Sequence, residues 1–245
     1  MAGVAVLVLI FEVVSRLGLV SPEFLPPFLQ VLAESFLIFG DPEFLADLLS
    51  TALTWACALV LSVAVAVPLG VVLGLSEVSY RASRTVIELV RPMPAVALIP
   101  LVMLVVGQGL EMKIIVGVYA AMWPILFNTI YGVHGVDPNA KEMARSFGLS
   151  RPAVTWRVVI PGAAPFVATG IRLSSSIVLI VVITVELIAG GADGLGSYIA
   201  ENRAMGNQVT RVYAGTLVAG FLGLAINLLM GAFERRWFSW NATKG

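Results

Sequence analysis

Of 245 residues, 59% are apolar and 12% charged, with a mean hydropathy of +0.96, against roughly 45–50% apolar and about 25% charged in a soluble domain. Fifteen Lys and Arg balance fifteen Asp and Glu, which excludes a basic nucleic-acid-binding surface, and the apolar content excludes a disordered chain. A lone Cys57 and a lone His134 leave no disulfide framework and no histidine or thiolate metal site, so what remains is an integral membrane protein.

Crossing about 30 Å of hydrocarbon takes about 20 mainly apolar residues. The first apolar run, Met1–Phe11, is interrupted by Glu12 and Arg16. It lacks the basic leading region and the small-residue cleavage site of a signal peptide, and is read as a short first transmembrane helix over Ala2–Leu19. Residues 21–47 differ in character: Pro22, Pro26, Pro27 and Pro42 break the pattern, and Glu23, Glu34, Asp41, Glu43 and Asp47 cluster there. Leu29, Leu32, Ala33 and Phe36 recur at helical spacing, which predicts a short amphipathic helix on the membrane surface.

Five further spans follow in order: Leu48–Ser76, Pro92–Leu110 (extended backwards by Ile87–Arg91), Ile114–Val136, Val158–Gly191 and Val212–Phe233. The chain thus divides into an N-terminal helix and connector (1–47), a main transmembrane domain (48–235) and a tail (236–245). With both termini inside, the inner loops carry Arg81, Arg84, Lys141, Arg145, Arg151, Arg157, Arg235, Arg236 and Lys244, and the outer ones Arg16, Lys113, Arg203 and Arg211. Nine against four satisfies the positive-inside rule. The fold class is all-α, with about six transmembrane helices.

Within the second span, Gly70-x-x-x-Gly74 marks close helix contact. Three prolines in the third, Pro92, Pro94 and Pro100, remove helical hydrogen bonds and predict a broken inner half. Charges at bilayer depth cost roughly 2.5–3.5 kcal/mol on insertion scales. Arg91, Arg172 and Glu186 carry that cost. Arg91 could pair with Glu88 at i, i+3, or snorkel; Glu186 could accept hydrogen bonds from the glycine-rich segment after it, or pair with a basic residue. Arg91, Gln108, Asn128, Thr129, Ser175, Thr184 and Glu186 are the candidates for lining a translocation path, although serine and threonine also serve close helix packing.

The loop between the fourth and fifth spans is the most informative. Asp137 suits an N-cap and Pro138 the first helical position; Ala140–Phe147 are helix formers and Gly148 fits a C-terminal cap. Ser150, Arg151 and Pro152 start a second helix that re-enters the bilayer. A short helix with Met143, Ala144 and Phe147 on one side and Lys141, Glu142 and Arg145 on others reads either as a protein-docking knob or as an ordinary basic inner loop. Further on, Gly190–Gly196 is a flexible outer turn leading to a short helix over Ser197–Met205.

The run Glu142-Met-Ala-Arg-Ser-Phe-Gly148, followed after Leu149–Arg157 by Val158-Val-Ile-Pro161, resembles the EAA signature of ABC importer permeases. Glu142, Ala144, Gly148 and Pro161 match; Met143, Val158 and Ile160 depart by apolar exchanges. Leu89–Pro94 with Leu98–Pro100, Pro124–Thr129, Val136–Pro138, Glu186–Gly190 and Gly194–Gly196 look like the nitrate/sulfonate/taurine branch of that family.

The resemblance implies a type I ABC importer permease fold in the bacterial inner membrane, working as a homodimer with two cytoplasmic ABC ATPases and an extracytoplasmic substrate-binding protein. It makes Ala140, Lys141, Glu142, Met143, Ala144, Arg145, Ser146, Phe147, Gly148 and Leu149 the coupling helix, and places Gly194, Leu195 and Gly196 near the outer gate. The chain has no G-x-x-x-x-G-K-[ST] phosphate loop, so ATP and Mg are expected on the partner subunits, with no cofactor on this one. The implied cargo is a small anion, with a nitrogen heterocycle or vitamin precursor as the alternative. A membrane-embedded enzyme lacks any acid–base constellation. An ATP-independent transporter or channel would leave the docking helix unexplained and predicts inverted repeats.

Overall fold

The computed structural model describes residues 2–18, 20–21, 23–189, 193–206 and 208–237. Every regular element among them is helical: α1 (Ala2–Arg16), α2 (Phe28–Leu37), α3 (Pro42–Leu75), α4 (Glu77–Val90), α5 (Ile99–Val106), α6 (Leu110–His134), α7 (Pro138–Ser146), α8 (Arg151–Val154), α9 (Ile160–Ala189), α10 (Leu195–Ala204) and α11 (Val209–Trp237). In length and composition α3, α6, the continuous α8–α9 unit and α11 can each cross a bilayer. Helix α4 and the segment Ala95–Val106 pass the same test only together, as a pair bent by 78° that is either one broken span or a re-entrant loop. At 15 residues, α1 reaches about 23 Å, short of the hydrocarbon thickness. The end of the predicted first span, Leu19, lies outside the described residues.

Helix boundaries depart from the apolar runs where capping chemistry overrides them. Pro42 does not break the pattern but opens α3: Asp41 accepts the Glu43 N–H at 3.0 Å, and a proline at N1 loses nothing. Glu43 and Asp47 are thereby drawn into the helix, ahead of the predicted start at Leu48. Likewise α6 begins at Leu110, one turn before Ile114, so that Lys113 becomes a helical residue. In α2 the face with Val31 and Ser35 is buried, whereas Leu29 and Phe36 point outward.

The bundle is organised around α6, which packs between α3 and α9. Glycines permit the approach. A Cβ on Gly70 would lie 2.6 Å from Thr129 Cβ, and one on Gly74 would lie 2.7 Å from Val133 Cβ, so the predicted G-x-x-x-G contact is α3 against α6. Hydroxyls in the packed faces bond to backbone carbonyls, as in Thr129 to Ile125 within α6 (2.7 Å) and Ser174 of α9 to Ala121 of α6 (2.6 Å). The outward faces keep their apolar residues exposed, Leu53, Val60, Val72, Leu104 and Leu228 among them, as a bundle surrounded by lipid requires.

The proline-rich segment breaks where expected. After α4 the chain turns at 91–94, passes through a 3₁₀ turn at Ala95–Leu98 and continues as α5. Tyr119 from α6 donates its hydroxyl to the carbonyls of Val90 (2.7 Å) and Met93 (3.3 Å), satisfying acceptors that the break leaves without helical donors. Between α8 and α9, Thr155–Val159 form a π-helical turn rather than a break, so residues 151–189 run on as one rod.

Candidate functional site

The elbow between α6 and α8 is built by local chemistry. Asp137 caps α7 by accepting the Asn139 N–H at 2.9 Å, with Pro138 in the first turn. At the other end the Leu149 N–H bonds to the Ala144 carbonyl (3.2 Å) and the Gly148 N–H to that of Arg145 (2.8 Å). These two bonds are a Schellman motif, closed by Gly148 in the left-handed region at φ +82°. The Ser150 hydroxyl then accepts the Ala153 N–H at 3.4 Å and starts α8. Helix α7 spans Pro138–Ser146, starting at the predicted first helical position; Phe147 and Gly148 form its cap.

Only the inner side of this elbow is anchored. Ala144 and Leu149 pack against a cluster of Val133, Val136, Val154, Val159 and Ala163, and Lys141 Nζ donates to the Val133 carbonyl at 3.3 Å. The outer side is bare: Met143 is 62% and Phe147 80% exposed. Glu142 and Arg145 flank them and form no ion pair among the described residues. An apolar tip thus stands exposed on a self-capped helix.

The opposite end of the bundle is held by a buried polar cluster. Glu186 in α9 and Lys113 in α6 are 0% and 2% exposed, with Lys113 Nζ 3.2 Å from Glu186 Oε1. The Thr51 hydroxyl of α3 donates to the same carboxylate (2.9 and 3.0 Å to its oxygens) and accepts the Leu195 N–H at 2.9 Å. The Gly196 N–H donates to Glu186 Oε2 at 3.0 Å, and the Gly194 N–H to Asp47 at 2.7 Å. Lys113 also donates to the Asp193 carbonyl. A side chain at Gly194 would enter the Glu186 carboxylate, and one at Gly196 would strike the Ile183 carbonyl and Glu186 Cβ. Both alternatives for Glu186 hold at once: it accepts from the glycine segment and it pairs with a base. Gly190 to Ala192, the start of that segment, lie outside the described residues. Helix α10 starts at Leu195 rather than Ser197.

Lys113 is the member that sequence reasoning missed. It had been counted among exposed outer cations because it bounds an apolar run. A lone lysine one residue ahead of a span, facing a span that carries a lone glutamate, was the available signal.

The other intramembrane candidates separate into two groups. Thr129 and Ser175 are 0% and 1% exposed, and Glu186 is fully buried. Thr129 bonds within α6, and the Ser175 carbonyl accepts from Trp55 Nε1 at 2.9 Å. All three are packed between helices in this arrangement. Asn128 bonds to the Pro124 carbonyl, Thr184 to that of Ile180, and Gln108 to that of Ala189, each retaining some exposure. Arg172 pairs with Glu234 of α11 at 3.1 Å.

The Glu88–Arg91 pair is corrected. Glu88 instead takes Arg84 at 2.6 Å, one turn back along α4. Arg91 caps α4 in helical geometry, its N–H bonded to the Ile87 carbonyl at 2.9 Å, and its guanidinium lies over the Phe127 ring, 4.4 Å from the centroid.

Residues 66–239 match the family described as "Binding-protein-dependent transport system inner membrane component". The chain is 33% identical to the taurine transport system permease protein TauC of Escherichia coli (strain K12), over 97% of this chain and 87% of that protein. It is 24% identical to the nitrate import permease protein NrtB of Leptolyngbya laminosa, over 85% and 77%. Among solved structures, an inward-facing conformation of the MetNI methionine ABC transporter superposes with a TM-score of 0.69 at 17% identity, covering 79% of this chain and 95% of that one; at that identity the likeness speaks for the fold.

Proposed function

The chain belongs to the family of binding-protein-dependent transport system inner membrane components, in its nitrate/sulfonate/taurine-like branch, and from that premise we propose that it is the membrane half of an ATP-driven importer for a small anion. Two copies form the translocation path. Each seats the α7 elbow in a groove of a cytoplasmic ABC ATPase, and an extracytoplasmic binding protein delivers the cargo to the far end. Closure of the paired ATPases draws the two elbows together and turns the path outward; reopening resets it inward. Nitrate and taurine, the solutes in the relatives' names, share an anionic oxygen face, which is the ground for the substrate class. In this topology α7 and both termini are cytoplasmic, with Lys113, Glu186 and α10 at the outer end.

The observation that carries the reading is the elbow's division of labour. Its caps and inner face are satisfied by the chain itself, while Met143 and Phe147 stand uncovered at the tip. Phe147→Asp and Met143→Asp are expected to remain folded in the membrane, within about 0.5 kcal/mol of wild type, as surface changes do. They should lose the co-purifying ATPase and reduce import roughly tenfold or more, since a charge is forced into an apolar contact. Wild-type import and undiminished ATPase recovery in both variants would sink the assignment.

A further inference from the structure

The break after α4 leaves an open cavity of about 590 Å³ between α4 and the α7-proximal half of α6. Its walls include Tyr80, Arg84, Glu88, Arg91, Phe127 and Tyr131. The charges do not cancel. Arg84 and Glu88 neutralise one another, whereas Arg91 has no carboxylate within ion-pair distance among the described residues. Arg91 is exposed to this opening, and nothing acidic among the described residues offsets its charge.

Arg91 is also fixed in place. Tyr119 holds the backbone on both sides of it through the Val90 and Met93 carbonyls, Pro92 and Pro94 restrict the following dihedrals, and the Phe127 face supports the guanidinium. A guanidinium stacked on a ring keeps its N–H edge free, and that edge matches two oxygens of a planar or tetrahedral oxoanion. The tyrosines on the same walls supply hydroxyls that can donate to further oxygens.

We propose that this cavity is a binding site for a singly charged oxoanion, with Arg91 as the recognising residue and Phe127 as its support. One uncompensated cation sets the charge, and apolar wall between the polar groups accommodates a short organic tail. In the importer reading, on which its use as a release-side station rests, the anion is cargo; an anionic lipid headgroup presents the same chemistry from the membrane.

The full-length chain reconstituted in nanodiscs decides both matters, using labelled taurine, methanesulfonate and nitrate as probes, in phosphatidylcholine alone and with phosphatidylglycerol added. Saturable binding of at least one probe is expected. Arg91→Gln should weaken it roughly tenfold or more, the scale of losing one charge-assisted hydrogen bond, and Arg91→Lys should retain part of it. Phe127→Leu, which keeps apolar bulk but removes the ring, should weaken it less than Arg91→Gln does. If no free anion binds but phosphatidylglycerol is retained by wild type and released from Arg91→Gln, the oxoanion is the lipid's. Identical anion binding and lipid retention in wild type and Arg91→Gln, or neither in the wild type, overturns the site. Because no ATPase is present, failure of the importer reading would appear separately, as an ATPase that never co-purifies.

Discussion

The two ends of the bundle are held by opposite means. At the Lys113–Glu186 end, elements far apart in sequence meet through buried polar groups: Thr51 of α3, Lys113 of α6 and the Gly196 N–H converge on the Glu186 carboxylate of α9, while the Leu195 N–H donates to Thr51. At the α7 end the chain holds itself, through an N-cap, a Schellman motif and a small apolar cluster. The first arrangement fixes helices relative to one another and spends its buried polar groups on each other. The second keeps one short helix rigid while leaving its tip free. A buried tie makes a bundle end cohere; a self-capped turn makes a surface available.

If that contrast is right, the largest effect comes from breaking the buried tie. Lys113→Met or Glu186→Leu alone leaves a charge without its partner in the interior, and each is expected to cost about 3–5 kcal/mol, read from denaturant unfolding in detergent. Replacing both together should cost markedly less than the sum, because no buried ion remains. An additive double variant would mean that the two residues do not act as a pair. Next in size is Gly70→Ala, which places a methyl 2.6 Å from Thr129 Cβ in the α3–α6 contact. Overpacking of this kind costs about 1–3 kcal/mol, and Thr129→Ser in the same chain should recover part of it.

The smallest effect is expected at the elbow. Gly148→Ala meets nothing within 4 Å, so only the backbone at φ +82° opposes it, costing about 1 kcal/mol. Asn at the same position should be milder, since it tolerates this region. Import that falls with Ala more than with Asn, at near-constant unfolding stability, would show that the shape of the turn matters more than its contribution to folding.

These two ends also differed in how far the sequence disclosed them. Asp137, Pro138, Gly148 and Ser150 act on neighbours a few residues away, so the elbow was legible from spacing alone. The glycine pair at 70 and 74 announced a close contact, though not that α6 supplied it. The buried tie was not legible as a whole, since its donors come from positions 51, 113 and 196 and only the packed bundle sets them within 3.2 Å of Glu186. Lys113 was obscured by a general preference of lysine for the water-facing flanks of a span. The i, i+3 spacing allows Arg91 to pair with Glu88, but Glu88 takes Arg84 at i, i−4 instead and Arg91 lies on the Phe127 ring. Hydropathy located the long crossings, but it misplaced their ends at Pro42 and Leu110, where capping and helix continuation decide.

The rod formed by α8, the π-helical turn and α9 runs unbroken from Arg151 to Ala189. From the elbow to Glu186 that is about 50 Å at 1.5 Å per residue. In the importer proposed above, such a rod would carry a push at the elbow along its packed length to the end tied at Glu186. The five-residue π turn sits beside the elbow, where one wider loop of backbone would take up torsion first.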